Sequence, residues 1–384
     1  MSNVSRHIIR GIAGTLGIVA NALLATLLLM SGFGGMVPPS VTPYFAMLAM
    51  LFPVILTVSV IALVINLIWF RRLAVVNILS LLLCINPILT FCPMNVFRPS
   101  VEEIEQSGKK TFKLMTFNVF GFVYFNKPDE KYNSVNATVE YILDQDPDMV
   151  VCQEAVDVSW NAFIYLCNDE QRNRLHERYP YRTVTGRGMA LYSKYPFEAV
   201  PTRVRDKYQL DLCRYDIDIM GDTVHLFNIH MQSIGLTSED KELYVQLTEG
   251  EASDEIEEIR HNIISKLKSA FRARAAQAEN VREILDSVSG NIILCGDFND
   301  IQGCYAARTI QGSDMTDAYR EAGLGPAITY HADRLYFRID HIFYEGHLKA
   351  LRAWNGRCPS SDHYPLMAIM ELTDEPKSDK PTDI

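Results

Sequence analysis

Hydrophobic residues follow two different patterns along this chain, and the change falls near residue 100. No charged side chain occurs over residues 11–70 or 73–97, and the segment SGFGGMVPPSVTP interrupts the first stretch. Crossing a hydrocarbon core takes about 20 apolar residues. Residues 11–30, 44–70 and 73–91 each reach that length. They have no polar face to meet water, so they read as membrane spans rather than core helices. Basic residues ahead of an apolar run also fit a cleaved signal peptide, but two further spans favour a retained anchor.

Beyond residue 100 the apolar runs shorten and polar residues punctuate them. FKLMTFNVFGF is a run that reaches Asn118, a helical pattern covers 134–144, and Met149 to Cys152 reads as a buried strand ending at Gln153-Glu154. YRTVTGRGMALYSKYP, LCRYDIDIMGDTVHLFNIHMQ and NIILCGDFND continue as strands, with a hairpin turn at Gly221-Asp222. From Glu251 to Leu285, Ile256, Ile259, Ile263, Leu267, Phe271 and Ala275 recur at helical spacing, which predicts an amphipathic helix packed by one face. Strand, helix and strand in that order predict an α/β layered domain. The charged, Pro-bearing tail over 374–384 is expected to be disordered.

Charge sharpens the division. Arg6, Arg10, Arg71, Arg72 and Arg98 are the charged residues of the first 99, which therefore carry +5, while the remainder carries −15 within a net charge of −10. By the positive-inside rule, Arg6 with Arg10 and Arg71 with Arg72 mark the cytoplasmic ends, and three crossings deliver the acidic part to the non-cytoplasmic side, the periplasmic face of an inner membrane in a bacterium. Arg98 opposes this weakly. The division predicts a three-span anchor over 1–99, a second domain over 100–373 and the tail. Eight cysteines show neither a CxxC pair nor a zinc spacing, and Cys152 and Cys295 fit small buried hydrophobes.

Candidate chemistry sits where the apolar runs end. Asn118, Glu154, His230, Asp297 with Asn299, Asp340, and Asp362 with His363 all stand at or near such ends. Asp and Asn favour turns for local hydrogen-bonding reasons, yet turns do not require carboxylate, amide and imidazole at six separate places. If ILCGDFND stays extended, Asp297 and Asn299 leave on one face. Phosphate-ester hydrolysis needs a cation on the non-bridging oxygens, a base for water and a donor for the leaving oxygen. His341, next to Asp340 on one strand, points to the opposite face and reads as structural. Arg187 and Arg214 read as surface or salt-bridge residues.

The motifs TFNV, QEA, NIH, GDFN, RIDHI and SDH, in order from Thr116 to His363, resemble those of the endonuclease/exonuclease/phosphatase superfamily. The resemblance implies a four-layer α/β sandwich, two packed mixed β-sheets flanked by helices, here preceded by an all-α transmembrane anchor. It implies Mg²⁺, with Mn²⁺ as the alternative, held by Glu154 with Asn118 and Asp362. It implies that Asp297 and Asn299 position the attacking water and the scissile phosphate. His363, oriented by Asp340, works with nucleophile or phosphate, and His230 contacts a phosphate oxygen or assists the leaving group. The expected activity is metal-dependent phosphodiesterase action on a lipid headgroup or similar ester. A membrane-tethered nuclease is the alternative, although −15 offers no broad basic footprint for nucleic acid, and an inactive scaffold is a third reading. The bilayer is the expected partner besides substrate, and no protein partner is expected. The segment 236–286 reads as a layer helix with an extended lead-in, with a lid, a substrate wall or a bilayer-facing surface as alternatives.

Overall fold

The apolar N-terminal segment satisfies its backbone by coiling into helices. The structure, a computed structural model, describes residues 3–123, 135–157, 167–202, 210–237, 239–240, 256–332 and 336–374. The expected disordered tail beyond Asp374 and the first turn of the helix expected from 251 lie outside them. Helices α1 (Asn3–Phe33), α2 (Tyr44–Met50), α3 (Phe52–Trp69), α4 (Arg71–Leu83) and α5 (Ile85–Phe91) come first. Two stretches, Gly14–Met36 and Phe52–Trp69, are long and apolar enough to cross a membrane, and α4 with α5, bent by 64°, makes a third if taken as one broken span.

Proline placement corrects the spans expected from composition. The run over 44–70 is two helices, because Pro53 has no N–H to give the Ala49 carbonyl and the chain breaks at Leu51. Pro87 likewise leaves Leu83 without its donor, and the third stretch bends at Cys84. The bundle is pinned by amides: Asn66 Nδ2 donates to Asn21 Oδ1 and Asn77 Oδ1, each at 2.7 Å, joining α1, α3 and α4.

Ser100 caps α6 (Val101–Gln106) in a reciprocal box with Glu103. Among the described residues twelve strands follow: β1 (Thr111–Asn118), β2 (Met149–Gln153), β3 (Tyr181–Val184), β4 (Ala190–Ser193), β5 (Phe197–Val200), β6 (Asp211–Ile219), β7 (Asp222–His230), β8 (Asn291–Asp297), β9 (Thr316–Asp317), β10 (Asp340–Glu345), β11 (Leu348–Asn355) and β12 (Leu366–Leu372). They form two mixed six-stranded sheets, ordered β11-β12-β1-β2-β4-β3 and β5-β6-β7-β8-β10-β9. The hairpin lies one residue earlier than expected, with Met220 and Gly221 at φ 54° and 91° in the turn.

Side-chain alternation assembles the layers. Leu114, Met149, Val151, Ile293 and Cys295 face the core between the sheets. Their neighbours Met115, Val150 and Cys152 pack outward against α7 (Ala137–Gln145) and α8 (Asp169–Arg178). Ile292 and Leu294 pack against α9 (Ile256–Asp286) and α10 (Tyr305–Gln311). Strands buried on both faces explain the unbroken apolar runs. A short helix, α11 (Ala318–Ala322), adds Ala318 and Tyr319 to the central core. The result is an α/β sandwich preceded by a helical region.

The two bodies touch. Ala46 and Ala49 of α2 are buried with Phe271 of α9, Ile301 and Cys304. Gly35 lies so close to the Gly303 carbonyl that a Cβ there would come within 1.9 Å of it. The segment over 256–286 is the layer helix expected, and its N-terminal half also supports α2.

Candidate active site

Strand direction decides which ends meet. Strands β1, β2, β7 and β8 finish at one edge of the sandwich, and β10 and β12 run antiparallel to β8 and β1, so their beginnings lie at that same edge. In register, Asp297 stands between His230 on β7 and Asp340 on β10. Polar residues after some strands and before others therefore share one rim. Gly296, at φ 145°, lets β8 pass the Ile229 carbonyl, where a Cβ would lie 2.0 Å away.

Asp297 is the hub. Its Oδ2 accepts from Asn118 Nδ2 at 3.1 Å and lies 3.7 Å from His230 Nε2 and 3.6 Å from His363 Nε2. Its Oδ1 accepts from the Asn299 backbone N–H at 2.7 Å. That bond curls the chain, Asn299 takes φ 49°, and its Nδ2 donates to the Met231 carbonyl at 3.0 Å. The extended conformation expected for ILCGDFND thus ends at Asp297, which makes the turn with one oxygen and faces the site with the other.

Glu154 follows β2 in the left-handed region, at φ 52°. The Gly121 N–H donates to the Glu154 carbonyl at 2.7 Å, the Ala155 N–H donates to the Gly188 carbonyl at 2.8 Å, and a Cβ on Gly188 would stand 3.2 Å from the Glu154 Cα. So held, the Glu154 side chain is 43% exposed. It accepts from Asn118 Nδ2 at 3.0 Å and lies 3.7 Å from His230 Nε2.

His363 and Asp340 form a buried pair, Nδ1 to Oδ2 at 2.9 Å. Burial alone would lower the imidazole pKa, but the Asp340 and Asp297 carboxylates outweigh it and push His363 up to about 10. At neutral pH His363 is therefore charged, with Nε2 a donor toward the cleft. Burial raises Asp362; His363 opposes that rise, while Glu154 and Asp297 add to it. Asp297, Asp340 and His363 also offer ligand atoms within 4.8 Å of one another.

The cleft, about 210 Å³, is lined by Glu154, Asp297, Asn299, Asp362 and His363. Asn118, His230 and Asp340 reach it through the bonds above. His341 points the other way as expected, its Nε2 donating to the Asp300 carbonyl at 2.9 Å and its ring packing on Phe298. Arg187 and Arg214 pair with Asp211 and Asp216 at 2.5 and 2.8 Å.

Residues not singled out from the sequence hold these groups in place. Ser361 Oγ donates to the Asn118 carbonyl at 2.7 Å and accepts from the His363 N–H. Thr329 Oγ1 accepts from the Ile339 and Asp340 N–H groups. Gln153 and Asn228, buried between the sheets, join at 2.8 Å. Gln153, Asn228 and Ser361 stand inside the motifs QEA, NIH and SDH, which was a signal; Thr329 had none.

The model of the Endonuclease/Exonuclease/phosphatase family matches residues 115–363, more than half of the chain and the whole span of the rim. The chain belongs to the endonuclease/exonuclease/phosphatase family. A domain of unknown function matches residues 14–91. No curated protein matches. Among solved structures, humanized D. rerio TDP2 carrying 14 mutations is 13% identical, covering 68% of this chain and 99% of that one at TM-score 0.46. An endonuclease/exonuclease/phosphatase from Bacteroides vulgatus is 18% identical, with 68% and 99% covered at 0.44. The human Nocturnin catalytic domain with bound sulfate is 18% identical, with 69% and 96% covered at 0.46. At such scores none of them bears on what this family member acts on. Family membership implies a phosphoester substrate and a divalent metal.

Proposed function

We propose that this family member is a membrane-anchored, Mg²⁺-dependent phosphodiesterase whose substrate is a phosphoester at a lipid headgroup. The observation that carries the chemistry is Asp297 Oδ2, which shares one point with Asn118, His230 and His363. The domains are an anchor over 1–99, a catalytic domain over 100–373 and a tail.

The donor set fits a hard cation. Glu154, Asp362 and Asp297 converge, with Glu154 and Asp297 raising the cost of charge on Asp362, and carboxylates suit Mg²⁺. The tighter group of Asp297, Asp340 and His363 fits less well, because Asp340 Oδ2 is already committed to His363 Nδ1. Glu154, Asn118 and Asp362 are assigned as the metal residues. When bound, the metal supplies neutralisation of non-bridging phosphate charge.

The remaining roles belong to side chains. Asp297 accepts the proton of the attacking water as the new P–O bond forms and the leaving P–O bond breaks. Charged His363, kept in one orientation by Asp340, donates to a phosphate oxygen. His230, near both Asp297 and Glu154, stands as donor to the leaving oxygen. Asn299 fixes the turn that aims Asp297.

Two observations favour a lipid ester. The cleft is also walled by Ile234, Leu236, Phe337 and Ile339, and Met50 of α2 closes one side, so the apolar region itself borders the site. The −15 charge disfavours a polyanion. The test is Mg²⁺-dependent hydrolysis by the full chain in detergent, offered phospholipid and DNA in parallel, with Asp297→Ala as control. Cleavage of lipid alone supports the reading; cleavage of DNA alone replaces it with a tethered nuclease. We place the catalytic domain on the non-cytoplasmic side, from the arginine distribution. A phosphatase reporter active only outside the cytoplasm, fused after Ile384, should be active; silence refutes the orientation.

A further inference from the structure

A second cavity, of about 260 Å³, lies at the seam between the helical region and the catalytic domain, bordered by the ends of α1, α3 and α5. Among the described residues, two arginines line it, Arg308 on α10 and Arg320 on α11, and no Asp or Glu does. Nearby arginines of the same domain are neutralised: Arg338 by Asp317 at 2.7 Å, Arg282 by Asp286 and Asp314 at 2.6 and 3.2 Å, and Arg274 by Asp300 at 3.5 Å. Arg320 donates to the Asn86 amide oxygen, and among the described residues neither Arg308 nor Arg320 has a carboxylate partner. Burial, and then the charge of Arg320, holds the Arg308 pKa below its ordinary value. In a domain carrying −15, two converging guanidiniums without a counter-charge make a place for an anion.

The second observation concerns what lies beyond. Phe91 borders this cavity and also an apolar groove of about 550 Å³ between α3 and the bent pair α4 and α5, walled by Leu56, Val60, Ile61, Leu82 and Ile88. The bend at Cys84 that opens the groove follows from Pro87. An anion site at the end of the candidate spans, running into a groove with aliphatic walls, has the two-part chemistry of an anionic phospholipid.

We propose that Arg308 and Arg320 bind the phosphate of an anionic phospholipid whose acyl chain lies in the groove between α3 and α4–α5. This site is separate from the catalytic cleft; among the described lining residues the two share Ile301. Occupied, it ties α10 and α11 to the bundle and steadies α2, which carries Met50 to the cleft.

Native mass spectrometry of the full chain released from detergent reads lipid retention without reference to hydrolysis, so its outcome is independent of the proposed activity. Wild type should retain phosphatidylglycerol over phosphatidylcholine. Arg308→Gln with Arg320→Gln should lose about 30-fold in phosphatidylglycerol affinity, the effect of two cationic contacts to lipid phosphate. The double lysine variant should keep most of it. Val60→Trp, which fills the groove and leaves both arginines, should also weaken retention. Unchanged retention in the double glutamine variant, or equal retention of the zwitterionic lipid by wild type, overturns the site. Displacement of the lipid by millimolar glycerol phosphate overturns its lipid half, because a headgroup alone would then satisfy it.

Discussion

Asn118 and Asp297 lie 179 residues apart on strands of different sheets, yet Asn118 Nδ2 donates to Asp297 Oδ2 at 3.1 Å. The same amide donates to Glu154. One neutral side chain thus ties the carboxylate assigned to the metal to the carboxylate assigned to the water, and makes the packing of the two sheets a condition of the chemistry.

Asp340→Asn keeps the shape of the buried pair and removes the charge that holds His363 protonated and oriented. The turnover of a generic phosphodiester such as bis(4-nitrophenyl) phosphate should fall by about 10²–10⁴-fold. The KM should change little. A turnover within a few-fold of wild type would remove the orienting role of Asp340.

Chelation with EDTA should abolish hydrolysis, and Mg²⁺ should restore it. In Glu154→Gln the Mg²⁺ concentration for half-maximal activity should rise by about tenfold or more. If that variant titrates like wild type, the metal sits elsewhere, and the Asp297, Asp340 and His363 group becomes the next candidate.

Glu345 gives a pH dependence that needs no metal. Burial, then Asp314, pushes its pKa up from 4.5 to about 7. The folded state binds this proton more tightly than the unfolded chain, so the contribution to stability is fully present below pH 4.5 and is lost as pH rises to about 7. Glu345→Gln should melt higher than wild type at pH 8 and similarly at pH 4.5. Parallel melting curves across that window would refute it.

Arg338, in RIDHI, forms a two-pronged pair with Asp317 at 3.1 and 2.7 Å, and both are buried. Removing one partner strands a buried charge. Arg338→Met should cost about 3–5 kcal/mol in denaturant unfolding. Adding Asp317→Asn should recover part of that loss, and a double variant no more stable than the single would show that Arg338 acts mainly through packing.

The strands and the polar residues at their ends were legible in the sequence, because burial on both faces writes continuous apolar runs and chemistry interrupts them. Asp297 shows the limit of that reading. Its two-residue spacing from Asn299 suggested a shared face, but the choice between extended strand and turn rests on a backbone bond to Asp297 Oδ1 that spacing does not encode. Thr329 stayed hidden for a related reason: it acts by holding backbone groups of residues distant in sequence.

By itself the sequence determined what is local: helix against strand, the apolar segment against the acidic domain, and which residue types stand where the strands stop. Tertiary structure decided what depends on direction and contact. It brought the beginnings of β10 and β12 to the edge where β1, β2, β7 and β8 end. It broke the apolar run at Leu51 and laid α2 against α9, which gave the cleft a wall from the apolar helical region. And it set Arg308 and Arg320 in the wall of one cavity that, among the described residues, no acid lines. Composition counts charges along a chain, while electrostatic energy depends on their distances in space.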